Sequence, residues 1–444
     1  MTIEDLSPQE LLSALATYLE KEVSGALPIG AVLKFEYPDG GCLVIDGTGS
    51  ANRISQKAED ADCVVSLPLE THAQMLRFEL DQTTAFREGR MRIKGNIAVA
   101  LKLRPLVSTA FRIPGEDAFV ETPDLPSPPG GVPGWFVCPD GSRMRTMVWS
   151  PDHASAPCRG TIVLASGRTE FIEKYFEVIA LFLERGFAVA TFDWRGQGLS
   201  ERMLDDPRKG HVDQFSTFDT DFIAFMKEVV EPLMPEPYFG VGHSMGGNLM
   251  LRAGHNLPNR FAGIVLSAPM LGLNVGSPFQ EKVTRWLVSF LNLLGKHASF
   301  APGSGPTAVD EEAFEENVVT SDPVRHARQQ SVVSKTPSLG LGGPTVGWVH
   351  QAFKSVDEVA DPAYLAKITT PVLLFEAGAD KLVRGGSIRQ IADGLPKGEY
   401  VLVEGAEHEI LMEQDQYQQV FWTAFDAFTN RVLAPGVENK SGHA

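Results

Sequence analysis

Apolar positions in the first quarter of the chain change period several times, and each change marks an element. Leu11, Leu12, Leu15, Ala16 and Leu19 recur at helical spacing. Ser7-Pro8-Gln9-Glu10 opens that helix: Ser7 caps it, Pro8 suits its first turn and Glu10 completes a capping box. After Gly30, the residues Val32, Phe35 and Tyr37 belong to an extended segment. Pro38-Asp39-Gly40-Gly41 makes a hairpin turn and Cys42-Leu43-Val44-Ile45 the return strand. Cys63 to Leu67 predicts another strand, and Leu69 to about Phe78 a helix. Gly89 to Gly95 alternates polar and apolar as a half-buried strand does, and Ala98 to Leu106 closes the set as a helix. The pattern predicts a small α+β domain over residues 1–112, a sheet packed on helices around an apolar interior. It brings no acid, base and nucleophile together.

Residues 113–134 then carry Pro114, Pro123, Pro126, Pro128, Pro129 and Pro133 among several glycines, a composition suited to a semi-rigid spacer and not to helix or sheet. From Arg145 apolar strands alternate with helical stretches, the mark of a parallel sheet covered on both faces. Strands are expected at Thr161–Ala165, Phe187–Phe192, Tyr238–Val241, Ala262–Ala268, Val372–Phe375 and Tyr400–Val403. Helices are expected from about Glu173 to Arg185, stopped by Gly186, from Phe215 to about Val230, after Ser244, and from about Gln414 to Phe428. The fold class expected for residues 135–432 is therefore α/β, a doubly wound, mostly parallel sheet, with a polar tail over 433–444. No strand pattern occurs between Pro269 and Thr370, and connections of that length are usually functional insertions. Within this insertion, at about 270–369, Trp286, Leu287, Phe290, Leu291 and Leu294 fall at helical spacing. They suit a lid over an oily substrate, or ordinary packing on the core.

Composition narrows the function. Of 444 residues, 43% are hydrophobic and 21% charged, ordinary for a globular protein with a sizeable core. A net charge of -17 and a pI near 5.1 argue against nucleic acid, which rewards basic patches, and give no general attraction to anionic membranes. Met1-Thr2-Ile3-Glu4-Asp5 is acidic and lacks the apolar core of a signal peptide, and the apolar run around Trp286 to Leu294 is too short to span a bilayer. Cys42, Cys63, Cys138 and Cys158 stand without Cys-x-x-Cys spacing, so free thiols in a reducing cytoplasm are expected.

The chemistry concentrates at Gly242-His243-Ser244-Met245-Gly246, a Gly-x-Ser-x-Gly turn between an apolar strand and a helix. A serine on so tight a turn stands out at the top of the sheet. Gly242 and Gly246 are needed because side chains there would collide. A dinucleotide-binding turn would want an acid at the end of the next strand, and Gly263 to Ala268 ends in Pro269 with none. A serine hydroxyl needs a base, and the base an orienting group. In the chain order of such sheets the acid comes next and the histidine last. Asp380 and His408 follow the strands ending at Phe375 and Val403, on the same edge as Ser244. Glu376 is the second candidate acid. Glu407 and Glu409 are expected to be solvated or supporting, and His243, His255, His297, His326 and His350 to pack or sit at the surface. His408-Glu409 begins like a zinc motif but lacks its second histidine, so neither metal nor cofactor is expected. For the oxyanion, the donors expected are the backbone N–H of Met245 and one from Ser166-Gly167-Arg168-Thr169-Glu170, with Arg168 the choice. The Arg168 side chain is expected to touch a substrate head group or, more plainly, to pair with a nearby acid.

Two resemblances follow. The order of elements in the first quarter, with Asp60-Ala61-Asp62-Cys63-Val64-Val65 and the run Gly89 to Asn96, resembles the sterol carrier protein type-two family, which implies a lipid-holding module. Gly167 to Tyr175, Asp193-Trp194-Arg195-Gly196-Gln197-Gly198 and Gly242 to Gly247 resemble the bacterial lysophospholipase and monoacylglycerol lipase branch of the α/β-hydrolases. Thr320-Ser321-Asp322, Gly343-Pro344-Thr345 and Glu407 to Leu411 add to a likeness that runs from about Arg145 to Phe428. Ser166-Gly167 stands where many relatives carry His-Gly. The resemblance implies hydrolysis of a lipid or other apolar ester through an acyl-enzyme, with Ser244, Asp380 and His408 as the triad. A lipid carrier whose hydrolase half does not catalyse, and a hydrolase of small esters or lactones, are the alternatives. No nucleic acid partner is expected; transient contact with a membrane surface and the oligomeric state are left open.

Overall fold

A computed structural model describes residues 6–24, 28–38, 40–76, 80, 82–101, 119–150, 158–308, 311 and 313–434. Outside them lie Met1 to Asp5, Asp39 of the expected hairpin turn, Phe78, residues 102–106 of the helix expected from Ala98, the spacer's first part at 113–118, and 435–444 of the expected tail. The chain divides into two compact units, Met1–Phe119 with Pro133–Val137, and Val120–Val132 with Cys138–Ala444.

In the first unit the helix Pro8–Ser24 begins at the capping box: the Ser7 N–H donates to Glu10 Oε2 at 2.9 Å, and the Glu10 N–H to Ser7 Oγ at 3.4 Å. Strands β1 (Val32–Glu36), β2 (Cys42–Asp46), β3 (Arg53–Ser55), β4 (Cys63–Ser66) and β5 (Arg92–Gly95) form one sheet in the order β3-β2-β1-β4-β5. β1 runs antiparallel to β2, with Phe35 opposite Leu43, and parallel to β4. Alternate residues Leu33, Phe35, Leu43, Ile45 and Val65 share one face and bury against Leu11, Leu15 and Leu19 of the helix. Tyr37 and His72 pair inside this core at 2.7 Å, and burial pulls the His72 imidazole down to about 3, so it stays neutral. An open cleft of about 610 Å³ is lined by Lys34, Glu36, Gln56 and Ser66 together with Tyr37, Pro38, Cys42 and Ala58. The short β3 and the helix Gln82–Arg87 lacked a periodic pattern and were not expected.

The second unit is built on seven strands that run in the order β13-β12-β11-β10-β8-β9-β7. Its strands are β7 (Arg143–Trp149), β8 (Thr161–Ala165), β9 (Ala188–Phe192), β10 (Tyr238–His243), β11 (Gly263–Ser267), β12 (Val372–Ala377) and β13 (Gly398–Val403), while β6 (Val132–Val137) belongs from Pro133 onward to the first unit. Neighbours from β13 to β9 are parallel, and β7 is antiparallel to β9. Every residue of β8, β9, β10 and β11 is buried, as helices on both faces require. The chain leaves β8 for β9 and returns to β10 on the other side of β8, which places a switch point at the end of β10.

The proline-rich run from 120 to 131 is more firmly held than a spacer. The Val120 N–H donates to Glu173 Oε1 at 3.0 Å, and Trp149 Nε1–H to the Pro128 carbonyl at 3.0 Å. Its composition blocks regular structure but not packing. In the insertion after β11, the helices Pro278–Leu293, Pro323–Lys335 and Val346–Val359 are the main elements. Of the stripe read in the sequence, Leu287 and Leu291 are half-buried while Trp286, Phe290 and Leu294 are exposed; Val288 makes the buried contact, with Val346 and Phe353.

Candidate active site

Ser244 sits between β10 and the helix Ser244–Asn256 with φ at 50°, a left-handed conformation that costs a non-glycine residue about 1–3 kcal/mol. The turn is tight enough to explain both glycines. A Cβ at Gly242 would lie 2.6 Å from the Gly246 carbonyl oxygen, and one at Gly246 would lie 2.2 Å from that of Ala165.

The structure brings Ser244, His408 and Asp380 together. His408 Nε2 lies 2.9 Å from Ser244 Oγ, and His408 Nδ1 lies 2.7 Å from Asp380 Oδ2. Asp380 Oδ1 accepts the N–H groups of Leu382 and Val383 at 2.8 and 2.9 Å, which fixes the carboxylate while its other oxygen faces the imidazole. Burial raises the Asp380 carboxyl, but the His408 bond and these amides outweigh it and hold it below the usual carboxylate range. His408 is drawn down by burial and up by Asp380, Glu409 and Glu170; the carboxylates win and the imidazole lies above its ordinary value. Glu376 is elsewhere, accepting from the Gly386 N–H and the Tyr400 hydroxyl.

The loop after β8 is fixed from below. The Gly167 N–H donates to Glu170 Oε2, and the Thr169 N–H to Gln197 Oε1 at 3.2 Å. The Arg168 N–H between them meets no acceptor among the described residues. Met245 lies in the first turn of its helix, where N–H groups have no partner within the helix. The Arg168 side chain corrects the expectation of a nearby acid. No carboxylate pairs with it among the described residues; Nη2 donates to the Gly342 carbonyl, and the guanidinium lies 5.3 Å from the centre of the Trp348 ring. Ser166 buries its hydroxyl with no hydrogen bond among the described residues.

Beneath these groups lies a buried polar layer that sequence reading missed. Lys174 Nζ sits 2.6 Å from Glu409 Oε1 and 3.4 Å from Glu170 Oε1, and Tyr175 Oη donates to Glu170 Oε2 at 2.6 Å. Glu409 is thus buried and paired, not solvated, whereas Glu407 pairs with the exposed Lys381. His243 packs as expected: Nδ1–H donates to the Ser267 carbonyl at 3.0 Å, and burial beside the His408 ring pulls it down to about 3. Glu170, His243 and Glu409 present ligand-type atoms within 4.8 Å of one another, but the Lys174 ammonium already supplies the positive charge there. The only sequence signal was Glu170 and Lys174 four residues apart, since charges of opposite sign are by default assigned to solvent.

A strand-serine-helix turn on a parallel sheet, with an acid and a histidine at neighbouring strand ends, invites comparison with known proteins. Residues 156–415, more than half of the chain, match the family model described as serine aminopeptidase, S33, within the α/β-hydrolases. The chain belongs to that family. Residues 10–108 of this S33-family hydrolase match the SCP-2 sterol transfer family. Lysophospholipase L2 of Escherichia coli is 32% identical over 62% of this chain and 81% of its own length. The Homo sapiens monoglyceride lipase is 25% identical over 69% of this chain and 87% of its own. Among solved structures, a thermostable carboxyl esterase from Bacillus coagulans shares the fold with a TM-score of 0.55 at 18% identity, covering 69% of this chain and 99% of the esterase. The S33-family chain is thus an α/β-hydrolase of the lysophospholipase and monoacylglycerol lipase type, with a sterol-carrier-type domain at its N-terminal side.

Proposed function

We propose that this protein hydrolyses carboxylic esters of lipids through an acyl-enzyme on Ser244. The observation that carries the reading is the chain of contacts from Ser244 Oγ through His408 to Asp380, at 2.9 and 2.7 Å. His408 Nε2 takes the hydroxyl proton as Ser244 attacks the ester carbonyl. Asp380 holds the imidazole in the tautomer that can accept it and stabilises the imidazolium that forms. The tetrahedral oxyanion is received by the N–H groups of Met245 and Arg168. His408 returns its proton to the leaving alcohol, and water, activated in the same way, releases the fatty acid. The lysophospholipase and monoglyceride lipase relatives support a lipid ester as the substrate.

A fluorophosphonate probe tests the assignment. Labelling of the wild-type chain that is abolished in Ser244→Ala is expected. Absence of labelling in the folded wild type would favour a lipid carrier without catalysis. A chain-length series of p-nitrophenyl esters separates a lipase from a hydrolase of small esters or lactones. No helix among the described residues is long and apolar enough to cross a membrane.

A further inference from the structure

The cation beside the proposed oxyanion donor has no partner of opposite charge among the described residues. Arg145 is buried and held by Glu173 and Asp193, Arg195 by Asp140 and Asp221, and Arg252 by Asp219 and Glu358. Arg168 is half-buried and has no such acid. Among the described residues its Nε is cut off from solvent with no hydrogen bond, and Nη2 donates to the Gly342 carbonyl. The indole of Trp348 lies against the guanidinium, and a Cβ at Gly210 would fall 2.8 Å from Nη2. Burial without a counter-charge draws the group down to about 10, still charged at neutral pH.

A guanidinium removed from water is costly unless paired, and its planar fork is suited to carboxylate and phosphate. This one belongs to the residue whose N–H faces the reacting carbonyl in the proposed mechanism. We infer that the Arg168 side chain is an anion subsite, so that preferred substrates carry a phosphate or phosphodiester on the alcohol side of the reacting ester. The Gly342 carbonyl and Trp348 hold the fork in place without neutralising its charge. The inference rests on the ester-hydrolase reading and adds to it the charge of the substrate.

The test compares kcat/KM for a decanoyl lysophospholipid and for monodecanoylglycerol, both kept monomeric, in wild type, Arg168→Met and Arg168→Lys. Wild type should favour the charged ester. Arg168→Met should lower the ratio of the two kcat/KM values by about 10- to 100-fold, mainly through KM, the range expected for hydrogen bonds to a charged group. Arg168→Lys, which keeps the charge but not the fork, should recover part of the ratio. Glycerol 3-phosphate should compete with a short p-nitrophenyl ester in wild type and lose that effect in Arg168→Met. Equal losses on both esters, or a wild type indifferent to the phosphate, would overturn the subsite while leaving the hydrolase intact. If Arg168→Met does not fold, the wild-type preference, the competition and Arg168→Lys decide the matter. A folded wild type that fails to label at Ser244 would sink the hydrolase reading, and the subsite with it.

Discussion

An imidazole serves as a general base only while neutral, so the environment of His408 sets where activity appears on the pH scale. Three carboxylates, those of Asp380, Glu409 and Glu170, hold it above its ordinary value against the opposing effect of burial. A raised value keeps the ring protonated to higher pH. The acid limb of kcat/KM should therefore lie above about 6.5, the unperturbed imidazole value. Replacing Asp380 by Asn removes the largest of the raising influences and the tautomer control. The limb should move down and kcat should fall by roughly 10⁴-fold, the size of loss seen when such an acid is neutralised. A pH series on a short ester measures both, and an unmoved limb would contradict the role given to Asp380. At this scale the sequence was informative where chemistry coincided with a local pattern. Ser244, Asp380 and His408 each follow an apolar strand, and their order along the chain is the order that such sheets use.

Between elements, the loop after β8 and the loop after β13 are joined through one lysine. Lys174 bridges Glu170, which holds the Gly167 amide, and Glu409, which adjoins His408. Lys174→Met would leave both carboxylates buried without a cation. Breaking a buried pair in this way costs about 3–5 kcal/mol, so urea unfolding should show a loss of that order, with kcat falling more than KM rises. An unaltered midpoint would mean that the layer relaxes or takes in water. Little of this was legible beforehand beyond the spacing of Glu170 and Lys174 and the place of Glu409 beside His408. Strand and helix periods report which residues face a core, but not that oppositely charged residues from distant loops meet inside it. The short β3 and the helix Gln82–Arg87 escaped for a simpler reason, since so few residues cannot display a period.

For the whole molecule, the two compact units and the match of residues 10–108 to a sterol transfer family suggest a division of labour, one part holding an oily substrate and the other cutting it. Deleting the residues before about Pro114 should then lower kcat/KM for long-chain esters several-fold more than for short ones, measured along a p-nitrophenyl ester series. Equal losses would reduce the first unit to an aid in assembly. The fold class of both parts could be read from hydrophobic spacing and turn residues. The character of the proline-rich run could not, because proline content reports which hydrogen bonds a backbone is unable to make and says nothing of those its carbonyls accept, as Pro128 does from Trp149.

The amides on either side of Arg168 are already engaged, one by Glu170 and the other by Gln197. If the Arg168 amide receives the oxyanion as proposed, that receptor is finished in advance and does not wait for its guest to shape it. Boronates and other mimics of the tetrahedral adduct would bind it at the pace of encounter, with no lag for rearrangement, and the time course of inhibition would be a single phase from the moment of mixing.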